Sequence, residues 1–273
     1  MPPEKTPGSI DPNDLPALEA ALLVYAGPDR VVSADEYMAA HQASPRRGVV
    51  VRSHIPLLDA AIENFQGGEL ITISGQTKHG KTLLARTLTR NFLLERVTTL
   101  WFSYEIPPHQ MIERSPMAFY LPLTLASTSL KWIRQRVIEA KIKHGVDVVV
   151  LDHLHFLVDL LALKHPSLEI GGIIRQLKLL ALAHNLIIFL LAHTVKAVQD
   201  EELTEASIRD SSFVSQESDS TLMIARRMDP ATKLYTNRAW LSVRNHRRTG
   251  VMGVRIPLVH INGWLEEETH DGS

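Results

Sequence analysis

Glu69-Leu-Ile-Thr-Ile-Ser-Gly75-Gln-Thr-Lys-His-Gly80-Lys81-Thr82 is the stretch whose reading decides the fold. Its first half is an apolar run of the kind that a strand buried on both faces requires. Its second half, Gly75 to Thr82, matches G-x-x-x-x-G-K-[ST] at every fixed position and lies between that strand and a predicted helix. The glycines let backbone N–H groups wrap phosphates, Lys81 reaches the terminal phosphates, and the Thr82 hydroxyl is placed to ligand Mg²⁺ beside the helix N-terminus. Gly75, Gln76, Thr77, Lys78, His79, Gly80, Lys81 and Thr82 are therefore the expected nucleotide-binding residues.

Outward from this loop the chain alternates short apolar runs with helical segments, the pattern of a parallel sheet covered by helices on both faces. The expected strands are Glu69–Ser74, Thr98–Ser103, Asp147–Leu151, Leu186–Leu191, Ser220–Ile224, Ala239–Val243 and Gly253–Ile256. Helices are expected over Ser129–His144, with Gly145 just past its end, and over Leu168–His184. After Met223 the strands follow one another without long helices, which predicts antiparallel hairpins extending the sheet. Seven of the 15 prolines fall in the first 50 residues, so residues 1–50 read as a partly disordered lead-in arm with at most a short helix around Leu15–Tyr25. Residues 51–265 form the expected nucleotide-binding domain, and residues 266–273 an acidic, frayed tail.

Composition narrows the function classes. The chain has 273 residues, 45% of them hydrophobic, enough for a sizeable core. Its 29 Lys and Arg balance 30 Asp and Glu, so the whole chain has no electrostatic preference for nucleic acid or anionic membrane. Between Arg226 and Arg255, however, eight basic residues face one acid, Asp229, a pattern shared by solvated strand faces and anion-binding sites. The absence of cysteine excludes disulfides, cysteine-ligated metals and cysteine nucleophiles, and the cytoplasm is the expected compartment. The most apolar stretch, Leu179–Ala192, is interrupted by His184 and Asn185 and is too short for a membrane span, and the N-terminus lacks the design of a secretion signal. No membrane partner is expected.

Three strand ends carry further polar residues. Val148-Val-Val-Leu-Asp152 ends in an acid suited to the metal's water shell beside a phosphate loop. Glu105, closing Leu100-Trp-Phe-Ser-Tyr-Glu105, is placed to orient water against a terminal phosphate, although a solvated Glu ahead of Pro107 and Pro108 looks the same in sequence. His193 follows Leu186–Ala192, where a histidine can contact the γ-phosphate or serve structure alone. Asp152-His153-Leu154-His155 also reads as a metal cluster, but no further ligand spacing supports it.

Taken in order, these pieces resemble the C-terminal motor domain of DnaB-type replicative DNA helicases, a hexameric RecA-fold family. The resemblance runs through Ile55-Pro-Leu-Leu-Asp59, Gly67-Gly-Glu-Leu70, the phosphate loop, Phe102-Ser-Tyr-Glu-Ile-Pro107, Leu151-Asp-His-Leu-His-Phe156, Glu169-Ile-Gly-Gly-Ile-Ile-Arg-Gln-Leu-Lys178 and Leu190-Leu-Ala-His193. It continues through Ile208-Arg-Asp-Ser-Ser212, Gln216-Glu-Ser-Asp219 and Arg247-Arg-Thr-Gly-Val-Met-Gly253. It implies an α/β fold with a RecA-like P-loop NTPase core, a mainly parallel sheet flanked by helices, and antiparallel C-terminal strands. It further implies a ring-forming helicase, a hexamer, that hydrolyses ATP with Mg²⁺ to translocate on single-stranded DNA and unwind duplex, with primase or a helicase loader as possible partners. On this resemblance Glu105 is the catalytic base, Lys81 and Thr82 bind phosphate and Mg²⁺, Asp152 is the metal-associated acid and His193 the γ-phosphate sensor.

The resemblance also implies an arginine finger acting on the neighbouring subunit's nucleotide. Arg247 fits one spacing and Arg248 the other, and Asn245 or His246 then stands where the family has a lysine, with Arg244 as a possible substitute. The DNA-facing loops would be Leu160–Ser167 and Thr194–Ile208, carrying Lys164 and Lys196, with Arg209 just beyond them as a further DNA-binding candidate. Asp200, Glu201, Glu202 and Glu205 make the second loop acidic, which opposes phosphate contact. The connection from Met111 to Ser129 is shorter than the family's, and the first 50 residues are too few for the family's separate N-terminal domain. Two other readings remain at this point: a RecA/RadA-like recombinase or regulatory DNA-associated ATPase without unwinding, and a non-catalytic nucleotide-dependent loader or assembly module.

Overall fold

In the computed structural model the chain divides into two units, Met1–Arg47 and Gly48–Ser273; residues 11, 13–27, 30–43, 48–114, 118–157, 166–193 and 217–268 are described. The first unit contains helix α1 (Leu15–Leu23) and helix α2 (Ala34–Ala43). Asp14 caps α1 by accepting from the Ala17 amide at 3.3 Å, and Ser33 Oγ accepts from the Glu36 amide at 3.1 Å ahead of α2. None of this unit's described side chains is buried, as a segment without its own core requires.

The second unit opens with β1 (Val50–Val51), α3 (Pro56–Ile62) and β2 (Phe65–Gln66), in which the two short strands pair antiparallel. It continues with β3 (Leu70–Gly75), α4 (Lys81–Leu93), β4 (Thr99–Ser103), α5 (Pro108–Arg114), α6 (Leu130–His144) and β5 (Val148–Asp152). A short 3-10 turn (Leu154–Leu157), α7 (Pro166–His184) and β6 (Ile187–His193) follow. The chain then adds β7 (Ser220–Met228), β8 (Tyr235–His246), β9 (Val254–Ile261) and β10 (Trp264–Glu267).

Eight of these strands form one sheet in the order β10-β9-β8-β7-β3-β6-β5-β4. The five from β7 to β4 run parallel, and β8, β9 and β10 extend the sheet as antiparallel hairpins. This is the expected RecA-like α/β architecture. The two-residue period of the strands divides the core between two faces. Ile71, Ile73, Val148, Val150, Ile187, Phe189 and Leu191 meet Leu84, Leu88 and Phe92 of α4 on one side. Leu70, Val149, Leu151, Ile188 and Leu190 meet Ile133 and Val137 of α6 and Ile174 and Leu177 of α7 on the other. Continuous apolar runs are what such two-sided burial selects.

Helix α6 behaves as its sequence predicts, with Ser129 Oγ accepting from the Trp132 amide and Gly145 closing the helix in the left-handed region at φ 64°. The Met111–Ser129 connection has a structural use. Tyr120 exchanges backbone hydrogen bonds with Thr99 and Trp101, covering the edge that β4 would otherwise leave open.

Several elements lie outside the sequence expectations, among them α2, β1, β2 and β10. Helix α2 is mostly polar, and β1 and β2 are too short to show a period. Strand β10 contains Glu266 and Glu267, placed by their charge in the frayed tail. Here Glu267 accepts from the Leu57 amide at 2.8 Å, and Trp264 lies 4.6 Å beneath the Arg90 guanidinium. Glu268 pairs with Arg227 at 3.2 Å and Arg238 at 3.0 Å, so order extends at least that far.

Candidate active site

Parallel pairing brings the C-terminal ends of β3, β4, β5 and β6 to one edge of the sheet, and the predicted polar residues sit there. Gly75 ends β3 beside β7, and a Cβ at this position would collide with the Ile224 carbonyl oxygen, which is why a glycine opens the loop. Gly80 adopts φ 103° as the residue before α4, again where a side chain is disfavoured. His79, within the loop, is buried against the β7–β8 hairpin: its Nε2 lies 3.3 Å from the Tyr235 hydroxyl and its Nδ1 accepts from the Arg226 amide at 3.3 Å. Burial, with Lys81 and Arg226 nearby, lowers its pKa.

Lys81 is only 5% exposed and donates to the Gly75 and Gln76 carbonyls at 2.9 and 3.0 Å. Its Nζ also lies 2.8 Å from His193 Nδ1 at the end of β6. Burial pushes the Lys81 pKa down to about 8, against the opposing pull of Glu105 and Asp152. A cation held out of water in this way is poised for an incoming anion.

Asp152, ending β5, is fully buried. Its Oδ2 accepts from the Thr82 hydroxyl at 3.0 Å, whereas its Oδ1 has no hydrogen-bond partner among the described residues. A buried carboxylate oxygen left over beside a hydroxyl is a fitting donor set for a hydrated hard cation, so these two residues fit Mg²⁺.

Glu105 lies just beyond β4, its side chain 42% exposed. Ser103 pairs with Asp152 in parallel register and the Tyr104 amide donates to the Asp152 carbonyl at 2.7 Å, which sets Glu105 beside His153. Glu105 Oε2 is 3.5 Å from His153 Nδ1, and the His153 and His193 ring centroids are 3.6 Å apart. His153 is 2% exposed; the sequence raised it only within the Asp152-His153-Leu154-His155 run, not as a partner of Glu105. Its sequence neighbours give no signal for this pairing, which only the adjacency of β4, β5 and β6 creates.

The two arginine candidates separate. Arg248 is engaged within its own chain, donating to Glu69 Oε1 at 3.1 Å, Glu63 Oε2 at 3.2 Å and the carbonyls of Ile62 and Asn64 at 2.6 and 2.8 Å. Its guanidinium thereby closes the C-terminal end of α3. Arg247 is exposed, and its amide donates to the Asp219 carbonyl at 2.8 Å. Asp219 in turn bonds to Leu70, the first residue of β3, so Arg247 stands at the end of the sheet opposite the phosphate loop. The ends of β3, Leu70 and Gly75, stand roughly 17 Å apart. Arg244, the possible substitute for the missing lysine, is half-buried with Nη2 3.5 Å from Met223 Sδ, and burial lowers its pKa. Lys164, Lys196 and Arg209, the expected DNA contacts, lie outside the described residues, as does the whole of the second loop.

A phosphate loop on the central strand of a mostly parallel sheet, with polar residues converging from the neighbouring strand ends, defines the RecA-like ATPase fold. The family model described as the DnaB-like helicase C terminal domain matches residues 119–260, and the chain belongs to that family. The matched stretch begins after the phosphate loop and Glu105, whose assignment rests on the geometry above.

Solved structures agree on the fold. One is an ATPase domain with a TM-score of 0.72 and 18% identity, covering 88% of this chain and 100% of that one. Another is a DnaB-like replicative helicase reported with its interactions with primase, with a TM-score of 0.69 and 18% identity over 92% of this chain and 70% of that one. A KaiC-like protein from Pyrococcus horikoshii OT3 matches with a TM-score of 0.59 and 13% identity over 82% and 100% of the respective chains. No helix among the described residues is long and apolar enough to cross a membrane.

Proposed function

We propose that this chain is an ATP-hydrolysing motor that translocates on single-stranded DNA and unwinds duplex, working as a ring, a hexamer, whose sites are shared between neighbours. The observation that carries the reading is the convergence of Lys81, the Thr82–Asp152 pair, His193 and Glu105 at the ends of four adjacent parallel strands.

Glu105 accepts a hydrogen bond, and then a proton, from the water that attacks the γ-phosphorus in line. The new P–O bond forms as the bond to the β–γ bridging oxygen breaks, and ADP leaves with the electron pair. Lys81 exchanges its carbonyl partners for phosphate oxygens and offsets the charge gathering on them. His193, within 2.8 Å of Lys81, reads whether the terminal phosphate is present. Thr82 and Asp152 would hold Mg²⁺, which supplies Lewis-acid neutralisation of the phosphate oxygens.

Arg247 is assigned as the residue that completes a neighbour's site, because it stands too far from its own phosphate loop to act there while Arg248 is held against α3. Single-stranded DNA in the ring channel, contacted by the loops bearing Lys164, Lys196 and Arg209, and primase or a loader as partners follow from the family. The acidic residues Asp200, Glu201, Glu202 and Glu205 oppose DNA contact and favour a second reading, an ATPase indifferent to DNA that engages a protein partner, while the non-catalytic assembly module would show no Glu105-dependent hydrolysis at all.

Steady-state ATP hydrolysis with and without single-stranded DNA, with Glu105→Gln as the blank, tests both. A Glu105-dependent rate stimulated by DNA is expected. A rate indifferent to DNA transfers support to the second reading, and a Glu105→Gln chain as active as the native one removes the assignment of the base.

A further inference from the structure

Glu105, His153 and His193 each offer one ligand atom, and the three atoms lie within 4.8 Å of one another. The residues lie at or within two positions of the ends of three neighbouring strands, β4, β5 and β6, so the sheet register brings them together. We infer that these three side chains form a binding site for a transition-metal dication of the zinc class, separate in its donors from the Thr82–Asp152 pair. Two imidazoles and one carboxylate, with a position left open, are a donor set that takes Zn²⁺ and leaves Mg²⁺ to all-oxygen ligands.

The distances suit that ion. Tetrahedral zinc with bonds near 2.1 Å places its ligand atoms about 3.4 Å apart. His153 Nδ1 and Glu105 Oε2 already stand at 3.5 Å, and Asp152 Oδ1, also 3.5 Å from His153 Nδ1, adds a second negative charge. His153 is nine-tenths buried or more, which fixes one ligand in place, while Glu105 faces solvent and gives the ion a way in. Lys81, with Nζ 2.8 Å from His193 Nδ1, opposes a dication. The site is therefore weaker than a structural zinc site and answers to metal concentration. The consequence of occupancy rests on the function proposed above: an ion bound by Glu105 takes the base away from water, so zinc silences hydrolysis.

Binding is measured on the full chain, without nucleotide or Mg²⁺, by competition of Zn²⁺ with a chromophoric chelator, and with Co²⁺ as a spectroscopic substitute. His153→Asn and Glu105→Gln are the variants, the second keeping the test valid if the first does not fold. One equivalent that binds more tightly than the background is expected in the native chain, with its affinity reduced at least tenfold in each folded variant and the Co²⁺ visible band lost. Other histidines contribute background, so the difference between chains is the readout. Zinc affinity unchanged in a folded variant overturns the site.

Inhibition is scored separately. Zn²⁺ should suppress native hydrolysis at the concentration that fills the site and require at least tenfold more in His153→Asn. A native chain that binds zinc through these residues but hydrolyses no ATP leaves the site standing and sinks the motor reading instead. If zinc binds there and hydrolysis continues undiminished, the inhibitory role is wrong.

Discussion

Replacing the phosphate-loop lysine should make the nucleotide-free protein more stable, although the same change abolishes its use of nucleotide. Lys81 is buried, and its pKa falls from the ordinary 10.5 to about 8. At 1.36 kcal/mol for each tenfold change in proton affinity, holding the charged form in this place costs about 3 kcal/mol. Lys81→Met removes that cost but also the bonds to the Gly75 and Gln76 carbonyls, a loss of about 1 kcal/mol. The expected net gain near pH 7 is about 2 kcal/mol, a rise in melting temperature of roughly 4–8 °C for a domain of this size. The pH dependence provides the sharper check. The unfolded chain holds the Lys81 proton more tightly than the folded one, so between about pH 8 and 10.5 the native protein gains stability as pH rises. The advantage of Lys81→Met must shrink across that window and vanish or reverse above it. Urea melts of both proteins at pH 7, 9 and 10.5 read this difference directly and cancel the other titrating groups. A variant less stable than the native chain at pH 7, or a gap that stays constant with pH, would refute the reasoning.

The other predictions concern single contacts. Arg248→Ala should lower stability by about 2 kcal/mol, since it leaves Glu69 and three carbonyls without their donor. Arg247→Ala should reduce hydrolysis at least tenfold, with activity partly restored in mixtures with a Glu105→Gln chain that still carries Arg247. Gly75→Ala should cost at least about 2 kcal/mol, seen as a lower urea midpoint, because the Ile224 carbonyl occupies the space a Cβ would need. Asp152→Asn should raise the Mg²⁺ concentration needed for hydrolysis about 10–100-fold while nucleotide binding without metal persists.

The parallel half of the sheet was legible because burial on both faces favours apolar residues, which make up most of the runs 70–75, 99–103, 148–152 and 187–193. Legibility fell where one face meets solvent. Strand β8 runs from Tyr235 to His246, but only Ala239–Val243 reads as a strand, since Asn237 and Arg238 are exposed. The phosphate loop was readable because its chemistry depends on consecutive residues. The pairing of Glu105 with His153 was not, for it joins residues 48 positions apart through a strand register that sequence spacing does not reveal. The ion pairs of Arg248 with Glu63 and Glu69 were likewise closed to sequence, since they join residues far apart in the chain.

The opposite placement of Arg247 and the phosphate loop has an arithmetic consequence. If each Arg247 completes the site of the next subunit, a closed circle of n chains contains n complete sites, whereas an open arc of the same n chains contains n − 1. One terminal chain then holds nucleotide that nothing finishes, and the other holds an arginine with nothing to finish. Opening such a circle to admit a DNA strand disables one site while sparing the rest, so a gapped assembly announces itself as a fixed fractional loss of turnover.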